Sequence, residues 1–242
     1  MRMRLEPTER RRQIVHAAMP LFARKGFSGT TTKEIAEAAQ VSEGLLFKYF
    51  TNKTALYAAI IEVCSNDDPS RFEALAKLEP STSSLALIVH DVVAYFATLN
   101  HRSAAEQSRH RMFLQSLSDD GEFARIGLAA FGAALMPLLE RSLTAAHAAG
   151  DLAEVVPISQ SFWLAALLQI STGSMAFHGG ANPTQKRPAE EWAAETTRFI
   201  LRGLGVKADA VQAACASIRW ETWPAIDQGA ITQAPVTLVR VA

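Results

Sequence analysis

The chain has 242 residues, 49% of them hydrophobic and 20% charged, which is enough apolar chain for a sizeable core and too much for a disordered protein. Its zero net charge hides an asymmetry: residues 1–53 hold ten Lys/Arg against five Glu, a net of +5, and the remainder carries −5. A basic head on an acidic body fits a protein that meets phosphates at one end only.

The first residues, MRMRLEPTERRRQ, carry charge with no apolar run behind it. No signal peptide is expected there, and residues 1–7 read as a basic arm, either simply disordered or able to reach phosphates or a minor groove beside a main contact. Helix one is predicted from about Thr8 to Arg24, with Ile14, Ala17, Ala18, Leu21 and Phe22 as one inward stripe. Lys25-Gly26 ends it, with glycine in the left-handed stop position, and Phe27 plugs a small core.

Thr30 to Lys53 reads TTTKEIAEAAQVSEGLLFKYFTNK. Thr31 and Glu34 have the spacing of a capping box, so a helix starts there; Ile35, Ala36 and Ala39 give it an apolar face. Gln40-Val41 breaks the pattern, and Ser42 caps a second helix in which Leu46 and Phe50 point inward together. Two short helices joined by a tight turn form a helix-turn-helix, which offers the start of its second helix to the DNA major groove.

The run IAEAAQVSEGLLFKYFTNKTALY resembles the N-terminal signature of the TetR (tetracycline-repressor-like) family of transcription regulators. Ile35, Ala36, Ala39, Val41, Ser42, Gly44, Phe47, Tyr49, Phe50, Lys53, Leu56 and Tyr57 carry the match, within a resemblance that covers roughly residues 8–65. Two positions depart from the pattern. Gln40 stands where the family usually has glycine, so a strained turn is expected; Phe47 stands where tyrosine is common, so a phenolic hydroxyl is missing.

The residues themselves point to chemistry for DNA. Lys48, Lys53, Tyr49 and the hydroxyls of Thr31, Thr32 and Ser42 suit phosphates. Glu43 suits a cytosine amine, Leu45 or Phe47 a thymine methyl, and Gly44 permits close backbone approach. For Leu45 and Phe47, packing inside the head is an equal alternative. The resemblance favours Glu43, Gly44, Leu45, Phe47, Lys48 and Tyr49 as the DNA face.

Asn52 and its neighbours start helix four, whose inner face is Leu56, Ala59, Ile60 and Val63. Asn66 to Ser70 breaks it and marks a domain boundary, giving a DNA-binding domain at 8–66 with its helix-turn-helix at about 31–50. The body, 67–205, reads as helical throughout: Ser84–Asn100, Ala104–Leu117, a segment broken by Gly121 and Gly127, then a long helix to Ala148 containing Pro137. Pro157 to about His178 is an uncharged helix, read as buried in protein rather than spanning a membrane, because Gln160, Gln169, Ser171, Thr172 and Ser174 interrupt it. Ala189–Leu204 is a further helix with Trp192, Thr196, Phe199, Ile200 and Leu204 on one side. In the tail, 206–242, Lys207–Ser217 suits a short helix and Val236–Val241 is strand-like.

Catalytic patterns are missing: there is no G-x-S-x-G, H-E-x-x-H or Gly-rich phosphate loop. The histidines at 16, 90, 101, 110, 147 and 178 lack ligand spacing, and Glu106 with His110 reads as a surface pair. No enzyme, cofactor or metal site is expected. Cys64 and Cys215 are read as free thiols in a reducing cytoplasm.

The expected fold is all-α, with a three-helix helix-turn-helix head and a helical effector-binding and dimerisation body. Phe96, Met112, Phe113, Phe131, Met136, Phe162, Trp163 and Met175 suit a cavity for an apolar molecule between helices, and the resemblance implies such a pocket without saying which residues line it. The small residues Ala165, Ser171, Gly173 and Ser174, with Phe199, suit a homodimer interface built from the uncharged helix and the one after it. The function expected is a cytoplasmic regulator that releases an inverted-repeat operator on double-stranded DNA when a small-molecule effector binds. An activator, or a sensor or adaptor without regulated DNA activity, stays open at this stage.

Overall fold

The computed structural model describes residues 6–65, 69–99, 102–153, 161, 163–168, 170, 188–216 and 218. Among them the regular structure is helical, apart from one isolated antiparallel bridge between Leu152 and Val206. The helices are α1 (Pro7–Gly29), α2 (Thr32–Ala38), α3 (Glu43–Tyr49), α4 (Lys53–Ser65), α5 (Pro69–Ala76), α6 (Thr82–Ala97), α7 (Ala104–Ser118), α8 (Glu122–Ala148), α9 (the helical residues 163–168), α10 (Ala189–Gly203) and α11 (Ala208–Ala216).

Helix α1 opens on Pro7, whose fixed φ and missing N–H suit a first turn. Its stripe of Ile14, Val15, Ala18, Met19 and Phe22 is buried. Gly26 then takes φ 68°, and a Cβ there would lie 3.1 Å from Gln115 Nε2 of α7. Both the backbone and the close approach to α7 require glycine. Thr30 closes the bend by donating its hydroxyl to the Gly26 carbonyl at 2.8 Å.

Two hydrophobic cores result. The first gathers α1 to α4 around Phe22, Ile35, Leu46, Phe50, Leu56, Tyr57 and Ile60. It also takes in Met112 of α7 and Phe123 of α8, so it is not confined to the head. The ring of Tyr57 meets Phe22 edge-on at 4.5 Å and Phe123 edge-on at 5.1 Å between centroids. The second core joins α6, α8, α10 and α11 through Leu85, Ile88, Val93, Leu135, Leu139, Leu201 and Val211. Helix α8 therefore serves both cores. Its length and composition would also let it cross a bilayer, but here Phe123, Leu135, Leu138 and Leu139 are buried in protein.

Several expectations are corrected. Helix α5 fills part of the stretch read as a boundary after Asn66, and Asn66 itself lies outside the described residues. Gly127 does not break α8. It lies inside the helix, where its bare Cα faces Phe113 and Ile61 and lets three helices meet. Phe199 is not on the inner side of α10. That side is Ala193, Thr197, Ile200 and Leu201, and Phe199 is 64% exposed. Glu106 and His110 are not a surface pair: Glu106 completes a capping box with Ser103 and bonds Arg102, while His110 is buried, which pushes its pKa down to about 4. Most of the uncharged helix, with Cys64's side chain and residues 219–242, lies outside the described residues.

Phe123 gives the sharpest check on the shared core. Phe123→Ala is expected to lower stability by about 3–5 kcal/mol in a urea melt, as for a large ring removed from a packed interior. A loss below about 1 kcal/mol would mean that α8 only touches the head.

Candidate nucleic-acid interface

The helix-turn-helix is assembled by short-range chemistry. Thr31 caps α2: its hydroxyl accepts from the Glu34 N–H at 3.2 Å, and the Glu34 carboxylate accepts from the Thr31 N–H at 3.0 Å. The Lys25 ammonium bonds the same carboxylate, and together these hold Glu34's pKa down to about 2. A carboxyl depressed in this way stabilises the fold above its ordinary value of 4.5 and loses that contribution only as pH falls toward 2, so the cap is fully formed at neutral pH. Ser42 caps α3 by accepting from the Leu45 N–H at 3.2 Å. Between the helices Gln40 has φ 55°, a left-handed conformation that costs a residue with a Cβ about 1–2 kcal/mol. The strained turn expected from the missing glycine is present.

One tie in this unit has no signal in the sequence. Gln13 of α1 donates to the Ala39 carbonyl at 3.1 Å, across 26 positions, and Arg10 donates to the Gln13 side-chain oxygen at 2.8 Å. The pair secures the end of α2, next to the strained Gln40, against α1.

The candidate DNA residues separate into two groups. Some are committed within the head. Thr31 and Ser42 cap helices; Thr32 donates to Glu43 at 3.0 Å; Tyr49 packs against the head core. Lys53 is engaged most fully. Its ammonium donates to the Phe27 carbonyl at 2.8 Å and the Thr30 carbonyl at 3.1 Å, and lies 4.3 Å from the Phe27 ring centroid. It clamps the end of α1 to the start of α4. The other group is open. Gly44 and Lys48 are exposed, Leu45 is half-buried, and Phe47 is 47% exposed. For Phe47, packing inside the head is thereby excluded. No group of three or more His, Cys, Asp or Glu able to hold a metal occurs among the described residues.

The residues expected to form an effector pocket are dispersed. Met112 is buried in the head core and Phe113 packs against it. Periodicity marks the inward face of α7 but not its neighbour, which is the head. Phe96 meets Tyr95 and His110 edge-on, Met136 packs on the body core, and Trp163 lies over Gly132. Phe162 and Met175 lie outside the described residues. A cavity of about 40 Å³ does lie between α6, α8, α9 and α10, lined by Ile88, Val92, Phe131, Leu135, Leu139, Ala165, Ile200 and neighbours. Among the described residues of the expected set, only Phe131 lines it. Ala165 lines this cavity, and Ser171, Gly173 and Ser174 lie outside the described residues.

Comparison with known proteins bears on the same residues. The profile for bacterial regulatory proteins of the tetR family matches residues 14–60. The chain is 31% identical over 134 residues to YvkB, an uncharacterized HTH-type transcriptional regulator of Bacillus subtilis (strain 168), covering 49% of this chain and 70% of that one. It is 34% identical over 104 residues to the HTH-type transcriptional regulator HbdR of Aromatoleum sp. (strain CIB), covering 43% of this chain and 44% of HbdR. This second match thus spans less than half of that relative's length. Among solved structures, Salmonella enterica GusR superposes with a TM-score of 0.57 over 83% of this chain and 97% of its own, at 21% identity, which is a likeness of fold.

The two lysines are separable by experiment. Lys48→Ala is expected to weaken binding to any duplex and to reduce the salt dependence by about one phosphate's share. Lys53→Ala is expected to lower the melting temperature instead and to leave the salt slope unchanged. The reverse pattern in salt titrations and thermal melts would contradict this assignment.

Proposed function

The chain belongs to the TetR family of bacterial regulatory proteins, and on that premise we propose that it is a cytoplasmic, homodimeric repressor. It holds an inverted-repeat operator and releases it when a small apolar molecule enters the body. Regulators of this family bind DNA and are typically dimers. The observation that carries the reading is the recognition helix: α3 is fixed from behind by the Ser42 cap and by Leu46 in the core, while Gly44, Phe47 and Lys48 are turned outward.

Support for the dimer comes from uncovered apolar surface. Leu164, Leu167 and Leu168 on α9 are 58%, 50% and 45% exposed, and Phe199 on α10 is 64% exposed. Large apolar side chains grouped in this way call for a partner, and a second copy supplies the same surface. Support for an apolar effector comes from the cavity, whose lining residues are all aliphatic or aromatic. At about 40 Å³ it is far smaller than the roughly 300–1,000 Å³ of ordinary ligand sites. An effector of ordinary size therefore enters by pushing the lining helices apart.

That displacement reaches the head along two routes. Helix α4 joins head to body in sequence. Helix α8 joins them in space, lining the cavity with Phe131 and Leu135 and entering the head core with Phe123. The two heads of a dimer engage successive major grooves only when about 34–36 Å apart, so a few ångströms of drift breaks the match without altering either head. A coupling of about 1–3 kcal/mol between the sites is the usual scale for such a change.

Selection of genomic fragments by the purified protein tests the reading. The expected product is an inverted repeat with half-sites about one DNA turn apart. A Leu167→Glu, Phe199→Glu variant, altered only at exposed positions, is expected to sediment as a folded monomer and to bind the full repeat no better than a half-site. A variant that remains dimeric would refute the interface, and fragments bound no more tightly than random duplex would refute the regulator.

A further inference from the structure

The outward face of α3 has a composition that names its target. Phe47 is one of the few large apolar side chains left exposed among the described residues, and the only one of them in the head. It lies in the basic part of the chain: Lys48 follows it, and residues 1–53 carry a net charge of +5, although α3 itself holds one Glu and one Lys. Gly44, one turn earlier on the same face, has an open flank. A Cβ added there would meet nothing within 4 Å, and its φ is not positive, so neither internal packing nor backbone geometry accounts for the glycine. A glycine in a helix costs up to about 1 kcal/mol against alanine. Its effect here is a notch beside the Phe47 ring, since residues three apart are neighbours on a helix surface.

The polar alternative on this face is occupied. The Glu43 carboxylate accepts from the Thr32 hydroxyl at 3.0 Å, which ties the start of α3 to the start of α2. With Glu43 held there, the outward side chains of α3 left to meet DNA are Leu45, Phe47 and Lys48; Lys48 is assigned to a phosphate, which leaves the apolar pair for the base edges. In the major groove the apolar group that bases present is the 5-methyl of thymine.

We propose that Phe47 is a specificity-determining residue that reads the 5-methyl group of a thymine in each operator half-site, with the Gly44 notch allowing the base to approach. This rests on the reading of residues 43–49 as the DNA face and adds the chemistry by which they choose a sequence.

The experiment uses the full-length protein and the fragment it selects from its genome. Each thymine of the operator is replaced in turn by deoxyuridine, which removes one methyl and leaves the Watson–Crick edge unchanged. Burying one such carbon is worth about fourfold in affinity, so one thymine per half-site is expected to show about a fourfold loss, and its symmetric pair together about fifteenfold. In Phe47→Ala the thymine and uracil operators are expected to bind equally. Phe47 is exposed, so this variant is expected to fold, and retained Lys48 contacts keep its binding measurable. Uracil substitutions that change affinity by less than twofold everywhere would overturn the proposal. So would discrimination that survives in Phe47→Ala. Failure to select any fragment would instead overturn the regulator reading beneath it.

Discussion

The edge contact between Tyr57 and Phe123, 5.1 Å between ring centroids, is the constraint on which the arrangement depends. It places the first turn of α8 inside the core of the DNA-binding head. Phe123 and Phe22 are each about 1% exposed and Tyr57 3%, and burying an aromatic ring of this size contributes about 1.5–3 kcal/mol. Met112 of α7 enters the same core. Around this contact α1 bends at Gly26 against Gln115 and Asp119, so the recognition unit rests on the body along α7 as well as through α4. By comparison, the exposed Arg11–Glu62 ion pair between α1 and α4 contributes less than about 1 kcal/mol.

The head is joined to the body by packing against α7 and α8 as well as by the chain through α4. Phe123 and Phe131 lie eight residues apart on one helix, about 12 Å along its axis. The same rigid element therefore reaches the head at one end and the cavity further along. Under the proposed function, widening the cavity moves α8, and the head moves with it because α8 contributes to both cores. Beside the path through α4, the shared core offers a second one through α8.

What was legible in the sequence was local. Thr31 with Glu34, Ser42 and Gly26 act within a turn or two, so their chemistry depends on neighbours a reader can count. The strain at Gln40 was legible for the same reason. Long-range partners were not. The face of α7 bearing Met112 and Phe113 reads as inward by its spacing, yet spacing does not say whether the inside is an effector pocket or the head. Lys53 reads as a phosphate ligand because it is basic and follows a recognition helix. Only the fold brings the Phe27 and Thr30 carbonyls to its ammonium. Phe199 and Ile200 are adjacent in a helical pattern, and a rotation of about 100° places one outside and the other in the core. Helix α5 was hidden by the run Asn66 to Ser70, where Pro69 and Ser70 belong to its first turn.

The central claim is that head and body form one mechanical unit through the shared core. Native-state hydrogen exchange tests it most directly, because it measures the free energy at which each amide opens. The account predicts that amides of α1 around Ala18 and Phe22, of α4 around Tyr57 and of α8 just after Phe123 exchange through one common opening. Phe123→Leu is then expected to lower all three by the same amount. Exchange of α1 to α4 through an opening of lower free energy, with α8 still protected and the head unmoved by the substitution, would contradict it.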